Sequence, residues 1–161
     1  MALQSEAWTA SNDGRAVALS PAKLAILIPF GLALWALAWS IIRFRGPLGI
    51  LDGWNGITLF VGTIPATVLI NRLHLKIAGL PKTEIVNAVA VTLATATTID
   101  AICMFRLPEV YGSDSTMLRR AAAYIIWAGA VACWLAFVTR RSADRDLFKG
   151  KMSSTQGIDK P

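Results

Sequence analysis

One acidic side chain stands inside an otherwise uncharged, apolar stretch of the sequence. Asp100 is the only Asp, Glu, Lys or Arg within residues 85–105, IVNAVAVTLATATTIDAICMF. A carboxylate is costly to place in hydrocarbon, so such a residue usually faces the interior of a bundle and marks a functional site. Two interpretations follow: Asp100 is a proton or cation site, or it forms a structural ion pair with an arginine.

The candidate partners of Asp100 are arginines at the ends of the other apolar stretches. Asp100 lies six residues before Arg106, hence roughly 9 Å inside the end of its helix. An arginine at the same end can bend inward along its aliphatic stem and reach a carboxylate at that depth. The sequence predicts an ion pair of Asp100 with Arg43, which is favoured over Arg119 and Arg120.

The remaining residues of chemical interest are few. Asn71, Arg72 and His74 are close in sequence at the end of an apolar stretch, and we interpret them as a solvated helix end. His74 is the only histidine, which excludes a bis-histidine haem within the chain. Cys103 and Cys133 lie 30 residues apart inside apolar stretches, where a thiol packs as a small hydrophobe.

No motif of a known catalytic or nucleotide-binding site is present. The sequence contains no GxSxG elbow, no Walker loop, no HExxH pair and no dinucleotide fingerprint. We therefore predict no catalytic residues, no cofactor and no bound metal.

The elements that would position Asp100 follow from the hydropathy pattern. Of 161 residues, 55% are apolar and only 16% are charged, and the charges fall between long uncharged stretches. A stretch of 19 residues forms a helix roughly 28 Å long, close to the thickness of the hydrocarbon core. The predicted fold is an all-α, polytopic membrane protein whose four-helix transmembrane bundle spans residues 23–139. The predicted helices are 24–42, 54–71, 85–105 and 121–139.

Two flanking segments and one proline complete the predicted architecture. Residues 1–22 read as an N-terminal tail, and residues 140–161 read as a cytoplasmic tail too polar to pack. Pro65 interrupts the second stretch, where membrane helices tolerate proline, so we expect a kinked but continuous helix.

Small residues recur every four positions in the fourth stretch. Ala128, Ala132 and Ala136 form a seam of the kind that lets membrane helices approach closely. Packing within the chain is the simpler explanation of this seam, and self-association is the alternative.

The distribution of basic residues predicts the partner and the orientation. The net charge is +6, but the basic residues cluster at the ends of apolar stretches, which indicates a lipid bilayer and not nucleic acid as the partner. Two Lys or Arg precede the first helix, three separate the second from the third, and six follow the fourth, giving 11 on one side and 5 on the other. The positive-inside rule then predicts cytoplasmic termini in a cell inner membrane or plasma membrane.

Three segments resemble a family of small bacterial membrane proteins. Residues 35–46, WALAWSIIRFRG, followed by 99–101, IDA, and by 107–111, LPEVY, are similar to the YoaS-like four-helix membrane proteins. The chain departs from that pattern in having Arg-Phe-Arg-Gly where the family has a single Arg before Gly. The resemblance implies the four-helix topology and the interest of Asp100 and Arg43, but it implies no activity.

Two functions remain open from the sequence. The first is a non-enzymatic, structural or accessory bundle that self-associates as a homo-oligomer or joins a larger membrane complex. The alternative is a small proton- or cation-coupled transporter or channel that uses Asp100. The feature that discriminates between them is whether Asp100 faces a cavity or a neighbouring arginine.

Overall fold

The computed structural model describes residues 19–112 and 114–156, with side chains for 19–112 and 114–149. Four long α-helices make up most of these residues: α1 Pro21–Arg45, α2 Gly53–Ile77, α3 Ile85–Arg106 and α4 Ser115–Gln156. Each contains a stretch long and apolar enough to cross a membrane. The predicted all-α, four-helix membrane fold is confirmed. Most of the predicted N-terminal tail, residues 1–18, and the last five residues lie outside the described part of the chain.

Local sequence signals set where the helices begin and continue. The Ser20 hydroxyl accepts a hydrogen bond from the Lys23 backbone N–H at 3.4 Å and caps α1. The Asp114 carboxylate accepts one from the Met117 N–H at 2.8 Å and caps α4. Helix α2 continues through Pro65, as the apolar stretch around that residue predicts.

The four helices form a bundle that is open along one side. Helix α1 packs along α3, and α4 packs against both α2 and α3, whereas the consecutive helices α1 and α2 make little backbone contact. The crossing of α1 and α3 is close because Gly31 has no side chain. A Cβ atom at Gly31 would lie 2.8 Å from the Thr92 carbonyl oxygen.

Ion pairs join the helices at both ends of the bundle. At the end that contains the α2–α3 link, here called the His74 end, Lys23 Nζ lies 2.9 Å from Glu84 Oε2. At the opposite end, here called the Asp100 end, Arg120 pairs with Asp52. Both pairs join helices that the alternating up-and-down path brings to the same end.

Polar and apolar faces are arranged inside out relative to a water-soluble bundle. The buried residues of α2 are all glycine or polar, while apolar side chains such as Ile57, Val61 and Leu69 are exposed. An apolar outer surface is stable in contact with lipid chains, which agrees with the four candidate membrane spans.

Helix α4 is longer than predicted at its C-terminal end. It contains 42 residues, about 63 Å of helix, and continues 17 residues past the predicted end at 139. Arg140 and Asp144 form an i,i+4 pair at 4.0 Å, which supports a helix on an exposed face. Ala143 is buried, and α4 contacts the short Lys82–Glu84 helix. The segment after residue 139 therefore folds as helix up to Gln156, and its first part packs.

The alanine seam of α4 faces α3. Ala136 is buried together with Ile85 and Val89, and Ala132 packs at the edge of the same cluster. Ala128 lines the interior cavity described below. The seam thus contributes to packing within the chain.

Candidate functional site

A cavity of about 250 Å³ lies between the four helices. Its walls are mainly apolar and include Leu34, Ile41 and Leu93. Polar side chains also line it at several levels along the bundle. They are Trp35, Thr63, Thr67, Asn71, His74, Thr92, Thr97, Asp100 and Tyr124. A mostly apolar cavity with a few convergent polar groups is the usual form of a small-molecule site.

Helix α2 supplies one polar stripe to this cavity. Thr63, Thr67, Asn71 and His74 follow one another at spacings of four, four and three residues, which places them on one helical face. All four are buried, with exposed fractions of 7%, 5%, 4% and 3%. The Thr63 and Thr67 hydroxyls donate to backbone carbonyls one turn back in the same helix. Asn71 and His74 are therefore interior groups, and only Arg72 of the predicted solvated helix end is exposed.

Asp100 reaches the cavity from α3 at the opposite end. Its Oδ1 accepts a hydrogen bond from Trp35 Nε1 at 3.0 Å and another from the Tyr111 hydroxyl. The indole N–H also lies 3.1 Å from the Tyr111 oxygen, so the three groups form one cluster. Oδ2 of the carboxylate accepts no hydrogen bond from the described residues.

The predicted ion pair between Asp100 and an arginine is not formed. No arginine among the described residues lies within 4.0 Å of the carboxylate. Arg43 is exposed, Arg119 donates to the Thr116 hydroxyl at 3.4 Å, and Arg120 pairs with Asp52. The physical reason is that neutral N–H and O–H donors supply hydrogen bonds to the carboxylate without the burial of a second charge.

The link between α3 and α4 packs against Asp100 and α1. Tyr111 is fully buried in a cluster with Ile42, Leu51 and Ala121. Trp39 Nε1 donates to the Val110 carbonyl at 2.9 Å and holds this link against α1. Burial raises the pKa of Tyr111 above its ordinary value, and the hydrogen bond to Asp100 raises it further. Tyr111 is consequently a neutral phenol whose hydroxyl donates a hydrogen bond to the carboxylate.

The His74 end of the cavity is built around an imidazole. His74 Nδ1 lies 2.9 Å from the Ile70 carbonyl oxygen, and Nε2 lies 2.9 Å from Thr92 Oγ1. A carbonyl can only accept, so Nδ1 carries a proton, and Nε2 accepts from the Thr92 hydroxyl when the ring is neutral. In the cationic ring Nε2 donates to Thr92, whose hydroxyl then turns to the Ala88 carbonyl at 3.1 Å. The two ring nitrogens of His74 therefore each have a hydrogen-bond partner in either protonation state.

Asn71 differs from its neighbours because it has no partner. Neither its Nδ2 nor its Oδ1 has a hydrogen bond within the described residues, and both atoms are buried. An unpaired buried carboxamide is costly, and in native proteins it calls for an explanation such as a bound molecule. Asn71 therefore marks a place where the cavity can receive a hydrogen-bonding ligand.

A second hollow of about 600 Å³ lies in the open side of the bundle between α1 and α2. It is lined by Arg45, Asn55 and Thr58 towards the Asp100 end. It shares Ile41, Thr63, Ala66 and Tyr124 with the interior cavity. Near the other end this side is closed, because the Phe30 ring of α1 packs edge-on against His74 at 4.8 Å between centroids. The cavity thus borders a hollow on the side of the bundle between α1 and α2.

The polar stripe was missed by the sequence analysis, although a signal for it exists. Read as one helix, residues 63–74 place two threonines, one asparagine and one histidine on the same face. On a helical wheel of α3, Leu93, Ala96 and Thr97 lie on the same side as Asp100, and these residues line the cavity. A helical wheel describes one helix at a time, so it does not show that the polar face of α2 and the Asp100 face of α3 line the same cavity.

Neither a metal centre nor a related protein helps to identify this cavity. Within residues 19–112 and 114–149, no three His, Cys, Asp or Glu side chains lie close enough to hold a metal ion. The chain matches no family model, no curated protein and no solved structure.

Proposed function

We propose that the protein is a small membrane transporter that couples the movement of a solute to the movement of a proton bound at Asp100. The observation that carries this proposal is that the Asp100 carboxylate lines an interior cavity with one oxygen unpaired and no arginine beside it among the described residues. An intramembrane carboxylate in such a position is the usual element of a proton relay.

A role carried by packing alone explains fewer of these features. Packing accounts for the buried threonines and for His74, because membrane helices pack through small and hydrogen-bonded polar residues. It does not account for the buried Asn71 carboxamide, which has no hydrogen bond among the described residues. A proton also fits the site better than a metal cation. Ca²⁺ takes six to eight oxygen ligands, whereas Asp100 is the one carboxylate that the described residues bring to the cavity.

The experiment is solute-driven proton movement in reconstituted vesicles. Vesicles with a pH-sensitive dye inside are given solutes of three charge classes: organic ammonium ions, neutral molecules and carboxylates. We expect at least one class to change the internal pH in a protein-dependent manner, and we expect Asp100→Asn to reduce the change to that of protein-free vesicles. Asp52→Asn, at an acid outside the cavity, is the matched control and should behave like the wild type.

Two results would contradict this assignment. One is an unchanged response in Asp100→Asn, because the proton would then bind elsewhere. The other is the absence of any protein-dependent pH change with all three classes in the wild-type protein.

The orientation proposed here places the N- and C-termini in the cytoplasm of an inner or plasma membrane. It is supported by the excess of 11 over 5 basic residues. In a background with Cys103 and Cys133 replaced by alanine, Glu109→Cys should react with an impermeant maleimide in intact cells. Lys76→Cys should react only after permeabilisation, and the reverse pattern would invert the orientation.

A further inference from the structure

The interior cavity offers two unpaired polar groups, one towards each end. Among the described residues, no group forms a hydrogen bond with Asp100 Oδ2 towards the Asp100 end, and none does so with the Asn71 carboxamide nearer the His74 end. The other polar side chains considered above already have partners: Thr63 and Thr67 with their own helix, and His74 with Ile70 and Thr92. A ligand that forms hydrogen bonds with both Asp100 and Asn71 must therefore bind at two separated points.

The separation of these points follows from helix geometry. His74 and Thr92 are in contact and lie at one level. Asn71 is three residues from His74 and Asp100 is eight residues from Thr92, both in the direction of the Asp100 end. At 1.5 Å per residue the two free groups are then about 7.5 Å apart along the bundle.

The charge of the cavity selects the group that binds Asp100. None of the described Lys or Arg residues lines it, since Arg45 borders only the outer hollow, and Asp100 is its single acidic residue. Aromatic side chains, Trp35 and Tyr124, also line it, and aromatic rings attract organic cations. A ligand that fits this cavity thus carries a cationic group at one end and a hydrogen-bonding group at the other.

The volume of the cavity limits the size of the ligand. At about 250 Å³ it exceeds the roughly 150 Å³ apolar cavity that admits benzene. It can hold one ring with a short side chain, and its apolar walls suit such a body.

We propose that the cavity binds a small organic ammonium ion whose charged nitrogen meets Asp100 and whose distal hydroxyl or carbonyl meets Asn71. This assignment rests on the proposed transport function and names its substrate class. The ammonium group and a proton then compete for the same carboxylate oxygen, so binding of one releases the other. No covalent step is involved.

The test uses three probes that differ by one group each. They are 2-(4-hydroxyphenyl)ethylamine, which has both groups, 2-phenylethylamine, which lacks the hydroxyl, and 4-ethylphenol, which lacks the amine. At pH 7 the amines are cationic, because an alkyl amine has a pKa of about 10. Binding is measured by calorimetry on the full chain in lipid nanodiscs, with empty nanodiscs as the baseline.

We expect the probe with both groups to bind most tightly. Removal of its hydroxyl should weaken binding about tenfold in the wild type and have little effect in Asn71→Leu. Removal of the amine should weaken binding in the wild type and have little effect in Asp100→Asn. Thr98→Leu, which changes an exposed polar residue of α3 outside both the cavity and the outer hollow, should show the wild-type pattern.

The outcomes separate this proposal from the transport proposal. Equal binding of the three probes, or no binding above empty nanodiscs, overturns the ammonium assignment, and so does an effect of hydroxyl removal that persists in Asn71→Leu. If neutral or carboxylate solutes drive proton movement while the amines do not bind, transport stands and the substrate class is wrong. If the amines bind as expected but no solute moves protons, the assignment stands and transport is wrong. Should Asp100→Asn fail to fold, the Asn71→Leu comparison decides alone.

Discussion

Replacement of Tyr111 by alanine is expected to lower the free energy of unfolding by about 3–5 kcal/mol, the usual effect of deleting a fully buried aromatic side chain. Tyr111 has no exposed surface and packs with Ile42 and Met117. The substitution also removes the hydroxyl that donates to Asp100. Unfolding of the reconstituted protein, followed by steric trapping or by titration with a denaturing detergent, measures the loss.

A conservative variant separates packing from hydrogen bonding in this prediction. Tyr111→Phe keeps the ring and should lose only about 1–3 kcal/mol, the cost of a hydrogen bond to a charged group. Leu107→Ala, at an exposed position in the same link, should be near neutral. Equal small losses for Tyr111→Ala and Tyr111→Phe would show that the link does not pack against the bundle as described.

The second large effect is expected at the crossing of α1 and α3. Gly31→Ala should destabilise the bundle by about 1–3 kcal/mol, as overpacking does in a tightly packed core. The added Cβ would lie 2.8 Å from the Thr92 carbonyl oxygen. Because that atom belongs to the backbone, it cannot move aside, and the two helices must separate.

Gly62 provides the matched control for this crossing. It also lies within a helix, but a Cβ placed there meets no atom within 4 Å. Gly62→Ala should therefore be neutral or stabilise the protein by up to about 1 kcal/mol through helix propensity. A similar loss in both variants would mean that the Gly31 effect does not come from close helix contact. The same unfolding assay gives both values.

The sequence alone determined the fold class and the number of membrane spans. Each span is a local property, because a stretch of apolar residues either matches the hydrocarbon thickness or does not. The same logic singled out Asp100, since a lone carboxylate in such a stretch is costly wherever the helix packs. The hydropathy pattern was less reliable in predicting where each helix ends. The helix after residue 139 continues to Gln156, because polar residues also form helix, with support from i,i+4 pairs such as Arg140 with Asp144.

Only the tertiary structure decided what Asp100 contacts and where the cavity lies. Trp35 and Tyr111 meet the carboxylate from positions 65 and 11 residues away, through the α1–α3 crossing at Gly31 and the fold of the α3–α4 link. The polar stripe of α2 lines a cavity because α1 and α2 make little backbone contact, which leaves space beside Asn71. Hydropathy fixes which segments enter the membrane, but it carries no information on which helix faces meet, because every helix is apolar enough to contact lipid.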